Sequence, residues 1–162
     1  MNIWTDLANQ IVTRIGTVED AGPAHPRWKI PTDATQLRQA FTATIDGQDI
    51  LRGWIVAPGS PVSDPDVLGL GMVPYFEESL GFRVRGLSRM GAEDSFDDFL
   101  DVARAVQLSI RLWNGWDVTG AKVETESAVL SDYVPRRMGD ATVWSATIDV
   151  TLRVTHQMTF QE

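Results

Sequence analysis

A chain of 162 residues, 43% hydrophobic and 22% charged, suits one globular domain with a real core and argues against wholesale disorder. It holds no cysteine, which excludes disulfides, thiolate metal sites and cysteine nucleophiles together. The formal net charge of −8 disfavours tight, direct binding to DNA phosphates, although an acidic surface that merely repels DNA agrees with it.

The first residues, Met1 to Asp6, lack the basic region and apolar run of a secretory signal. No stretch reaches the roughly 20 apolar residues of a membrane helix, so no membrane partner is expected. Ile3, Leu7, Ile11 and Ile15 then recur every four residues beside Trp4 and Val12, predicting an amphipathic helix over 3–15 that stops at Gly16. Residues 19–27, with Pro23 and Pro26, read as an extended linker.

Strands are predicted over 41–45 and 50–56 around the tight-turn pair Asp46-Gly47. Residues 57–80 break the pattern with Pro58, Pro61, Pro65 and Pro74 and with Gly59, Gly69 and Gly71. A Pro/Gly-rich insertion of that length is expected to be mobile in the free chain and ordered in an assembly. A strand resumes over 81–90, with Phe82 and Val84 on one face and Arg83 and Arg85 on the other.

The clearest predicted element is a helix over 95–113. Ser95 is a candidate cap, Asp97 and Asp98 suit the positive end of the helix dipole, and Gly115 supplies the stop. Phe96, Phe99, Leu100, Ala103, Val106, Ile110 and Trp113 make its apolar stripe. Two strands follow, over 122–130 and 142–160, separated by a loop carrying Pro135, Arg136, Arg137, Gly139 and Asp140.

In the last strand Trp144, Ala146, Ile148, Val150, Leu152 and Val154 alternate with polar residues, the pattern of a sheet with one buried face. The expected fold is therefore α+β: a curved antiparallel sheet with helices packed on one face and a long C-terminal strand. It occupies residues 1–162 as a single domain, interrupted by the insertion at about 57–80.

Signals for chemistry are few. His25 and His156 stand far apart without zinc-site spacing, and His156 continues the apolar face of the last strand. There is no phosphate loop and no nucleophile elbow, and Gly69-Leu70-Gly71 lacks the third glycine of a dinucleotide fingerprint. The acidic run of Glu93, Asp94, Asp97, Asp98 and Asp101 reads as helix capping and a solvated face rather than as a metal or acid/base cluster. On that reading, replacing Asp97 and Asp98 by asparagine costs about 1 kcal/mol or less. No catalytic, cofactor-binding or metal-binding residue is assigned, no cofactor is expected, and the chain is read as a non-enzyme.

Interface residues are the remaining candidates. Arg83 and Arg85, and the loop pair Arg136 and Arg137, either serve solubility or meet an acidic neighbouring subunit. Trp113 and Trp144 lie on apolar stripes and belong to the core, whereas Trp28 and Trp54 are open to a role as interface anchors.

The element order resembles the tail terminator (tail completion) proteins of long-tailed bacteriophages. The resemblance rests on the helix over 3–15, the strand group with its long Pro/Gly-rich loop, the central helix over 95–113, and the closing alternating strand from Trp144. It covers nearly the whole chain as a pattern and assigns no single residue. It implies a virion protein of the tail or neck, assembled in the host cytoplasm as a homo-hexameric ring. The ring would cap the tail tube, end its elongation and join the tail to the head. Its partners would be the tail tube protein, a neck or head-completion protein, and in some particles a sheath protein. Double-stranded DNA would pass through the lumen without specific binding. The alternatives are a head-completion or neck adaptor and a tail-tube subunit. A small hydrolase using an acidic pair and a small-ligand binding module stand in different classes.

Overall fold

The structure is a computed structural model that describes residues 2–59, 66–68, 75–91, 95–138 and 141–157. The helix α1 (Ile3–Ile15) begins at Asn2, whose side chain accepts a hydrogen bond from Trp4 N, and it buries Leu7, Ala8, Ile11 and Ile15. A short strand β1 (Ala24–Pro26) and a single 3₁₀ turn (Arg27–Lys29) follow, then the helix α2 (Ala34–Ala40). Asp33 caps α2, accepting from Thr35 N and Gln36 N at 3.0 Å each.

The strands β2 (Thr42–Ile45) and β3 (Gln48–Pro58) form a hairpin. Its two-residue turn needs positive φ at both positions, and Asp46 (51°) and Gly47 (76°) supply it. Next come β4 (Asp66–Leu68), β5 (Tyr75–Arg89), the helix α3 (Ser95–Arg111), β6 (Ala121–Met138) and β7 (Ala141–Gln157).

The seven strands make one open sheet in the order β1-β3-β5-β7-β6, with β2 paired to β3 and β4 to β5. Every pairing is antiparallel except β1 on β3. The fold is α+β, with the expected long C-terminal strand. Even-numbered positions of the three central strands face the helices. Trp54 sits beside Gly86 and Ala146, and Val56 beside Val84 and Ile148. The five side chains of those two rows, Gly86 having none, are fully buried against α1 and α3, together with Phe99, Val106 and Ile110. Each large side chain so buried contributes about 2 kcal/mol.

Four expectations need correction. The segment over 19–27 is not wholly a linker, because Ala24–Pro26 pairs in parallel with Trp54–Val56. Residues 57–80 are not structureless throughout. Ala57 and Pro58 close β3, Asp66–Leu68 pair with Tyr75–Glu77, and β5 begins at Tyr75 rather than Gly81. Residues 60–65 and 69–74 of that insertion, Gly69 to Val73 among them, lie outside the described residues, as do Glu93, Asp94, Gly139 and Asp140.

Arg136 and Arg137 do not sit in a loop either, since β6 continues through them to Met138. Proline is tolerated there because β6 is an edge strand, where a missing N–H breaks no ladder bond on the open side. Last, Ser95 is the first helical residue of α3, and its hydroxyl receives the indole N–H of Trp144 at 3.2 Å.

Candidate docking site on the open face of the sheet

Alternation along the strands puts odd-numbered positions of β3, β5 and β7 on the face away from α1 and α3. Arg83 faces that way opposite Asp149, and Arg85 opposite Thr147 and Ile55. Together with Arg27 from the 3₁₀ turn, they rim a recess of about 410 Å³ floored by Ile55, Ala57 and Pro58. The parallel pairing of β1 on β3 is what carries Arg27 there, since Pro26 registers with Val56.

The three guanidinium groups differ in how they are satisfied. Arg83 Nε donates to Asp149 Oδ1 at 3.1 Å, with both side chains about half exposed. Arg27 and Arg85 make no side-chain hydrogen bond or ion pair among the described residues. Arg85 Nε is moreover buried without a partner there. An unmet, charged donor at the wall of a recess is costly unless an acceptor arrives from outside. Next to Arg27, Trp28 is 47% exposed. Arginine beside tryptophan is the composition enriched at protein–protein contacts.

Two further surface recesses among the described residues differ in carrying acids beside their basic groups. The larger, of about 810 Å³ between the end of α3 and β6, sets Arg111, Lys122 and Arg153 beside Glu124 and Glu126. Lys122 holds Glu124 at 2.8 Å and Arg153 holds Glu126 at 3.5 Å. Hydrogen bonding from Lys122 first, then its charge, lowers the Glu124 carboxyl below its usual range. The third recess sets Asp49 beside Arg38 and Arg89.

The candidate interface residues therefore separate. Arg83 and Arg85 join Arg27 at one recess, with Trp28 next to it in sequence. Arg136 lies on β6 in the row of Arg89 and Val143, six positions away from the row of Arg83 and Asp149, or about 20 Å. It is paired with Asp132 at 3.1 Å, while Arg137 is exposed.

Trp54 is not an interface anchor. It is wholly buried, donates from Nε1 to Ala21 O at 2.8 Å, and packs its ring against Phe99. The structure adds two residues that the sequence reading passed over. Arg27 lay in the supposed linker, and Arg52 proves to be a buried cation.

Both histidines and one aspartate of the acidic run have structural partners. His25 Nε2 lies 2.8 Å from Ala40 O, and His156 Nε2 lies 2.8 Å from Glu78 Oε1 against the Phe76 ring. Asp98 is taken up by Arg52. Among the described residues no three His, Asp or Glu groups converge as a metal site would require. No helix of the described residues is long and apolar enough to cross a membrane. No protein-family model matches the chain, and comparison with curated proteins gives no significant relative.

Proposed function

We propose that this chain is a structural virion protein whose copies form a ring capping a phage tail tube. The ring ends tube elongation and joins the tail to the head or neck, and DNA passes through it without specific binding. The order of elements and the long alternating β7 support this reading through their similarity to tail terminators. The observation that carries an assembly role is the recess itself. In a chain of charge −8, it brings together two arginines without a partner among the described residues, and the exposed Trp28 follows one of them in sequence.

The test is the length of the tails. A cap acts by covering the growing end of the tube. Without it each added layer buries the same surface as the last, and such a contact does not close on itself along the axis. Electron microscopy of particles made without this chain should show tails of irregular, excessive length detached from filled heads. Tails of uniform, normal length beside heads that leak DNA would instead assign the chain to the neck.

A further inference from the structure

We propose that the Arg27–Arg83–Arg85 recess receives the first two turns of α3 from a second copy of this chain, through Asp97 and Asp101. This rests on the assembly reading and names its subunit contact. The recess carries two guanidinium groups without a partner among the described residues, and one buried Nε still lacking an acceptor. The chain as a whole carries 22 acidic against 14 basic residues, so another copy is a ready source of carboxylates.

Several acids are already engaged, whereas the exposed side chains of Glu19, Asp20, Asp46 and Asp117 share with Asp97 and Asp101 the lack of a partner among the described residues. Asp98 binds Arg52, Asp33 caps α2, Asp49 accepts from Thr44, and Asp132, Asp149 and Glu78 have partners. Asp97 and Asp101 are exposed and make no hydrogen bond or ion pair among the described residues. They are held one turn apart on a helix of 17 residues. Residues four apart on a helix stand about 6 Å apart, and Arg83 and Arg85, two apart on a strand, about 7 Å, so the charges match in spacing as well as sign.

The two surfaces face opposite ways. Arg83 and Arg85 lie on the open face of β5, whereas α3 packs on the other face, its Phe99 against Trp54. One copy therefore cannot satisfy its own recess, and a two-fold pair cannot satisfy both. Repetition of such a head-to-tail contact produces a ring or a filament.

Charge exchange in the full chain tests this by native mass spectrometry and light scattering. One variant carries Arg27→Glu and Arg85→Glu, the other Asp97→Lys and Asp101→Lys. Each alone opposes like charges, and the concentration needed for assembly should rise by at least about a hundredfold. Mixed in equal amounts they should assemble again, because each then meets a complementary partner in alternation. Circular dichroism checks that each variant is folded. Should the Arg85 change unfold the chain, Arg27→Glu alone, at an exposed site, must still weaken assembly.

Variants that assemble as the parent does overturn the proposed contact while leaving an assembly role standing. The same holds if the arginine changes matter and the aspartate changes do not. A parent chain that stays monomeric at high concentration overturns the second copy as occupant. The tail-length experiment judges the broader function separately.

Discussion

Arg52 and Asp98 join the middle of β3 to the first turn of α3, with Nη2 donating to Oδ2 at 2.7 Å. The arginine side chain is 4% exposed and the aspartate 59%. Arg52 also donates to Ser88 Oγ at 3.0 Å and to Asp20 O at 3.1 Å, and its guanidinium lies over the Phe99 ring. A buried guanidinium is tolerated because each of its three nitrogens donates to an acceptor.

Asp97 and Asp98 are consequently not equivalent, although both sit where the helix dipole favours acids. Asp98→Asn removes the counter-charge of a buried cation and should destabilise the fold by about 1–2 kcal/mol, moderated by water at the exposed carboxylate. Asp97→Asn loses only the dipole contribution, about 0.5 kcal/mol or less. Urea unfolding of the two single variants distinguishes them, and equal midpoints would refute the assignment.

Tyr133 gives the fold an alkaline limit. Its hydroxyl donates to Phe96 O at 2.8 Å and its ring stacks on Trp144 at 5.7 Å. Burial pushes the phenol up to about 12 from an ordinary 10.0; Arg52 opposes this, and Asp97 and Asp98 add to it. The native state thus keeps the proton over a range in which the unfolded chain has lost it. Stability is unaffected below about pH 10 and falls as pH rises from there towards about 12. Tyr133→Phe should flatten that part of a stability profile measured by urea unfolding from about pH 9 to about pH 11.5.

Trp54 occupies space that only a glycine leaves open. A Cβ added at Gly86 would lie 2.5–2.7 Å from three atoms of the indole ring. The ring is hemmed in by Phe99 and tied to Ala21 O, so it cannot step aside. Gly86→Ala should cost about 2 kcal/mol or more by overpacking. A thermal midpoint equal to the parent's would show that the ring can shift after all.

The elements with a strong apolar period were legible in the sequence. Aliphatic residues at every fourth position marked α1, the stripe from Phe99 to Ile110 marked α3, and alternation from Trp144 marked β7. Elements held by tertiary context were not. α2 buries no residue and so has no stripe, and β1 is a strand only because β3 offers it an edge. Glu77, Glu78 and Gly81 interrupted the apolar pattern of β5, although all three are paired with β7.

Arg52 did leave a signal, since it shares parity with Trp54 and Val56 and so had to point into the core. Half of the candidate site was readable, because Arg83 and Arg85 alternate with Phe82 and Val84. Arg27 was hidden, for no local pattern brings the 3₁₀ turn to that face.

Arg83 separates stability from docking. Its bridge to Asp149 joins two half-exposed side chains, and such pairs contribute at most about 1 kcal/mol. Arg83→Gln should shift the urea midpoint very little and leave Asp149 hydrated. The same change takes one of three positive charges from the recess, so self-association should weaken and become less sensitive to salt. Sedimentation at low and at high ionic strength measures both effects. Undiminished salt sensitivity would exclude Arg83 from the contact.

Trp28 provides the sharpest separation of the two roles. It follows Arg27 in a 3₁₀ turn that contributes no buried residue to the domain, and the side chain is 47% exposed. Replacing an exposed side chain with few internal contacts changes stability by about 0.5 kcal/mol or less. A tryptophan buried at the centre of a contact behaves otherwise, and its truncation costs about 2 kcal/mol or more of binding. Trp28→Ser should therefore leave the unfolding midpoint within error of the parent's while raising the assembly concentration about thirtyfold. Tryptophan fluorescence adds an independent reading. An exposed indole covered on assembly shifts its emission to the blue, and the variant should lack that change. If the variant assembles with the parent's affinity, the surface around Arg27 is not the contact.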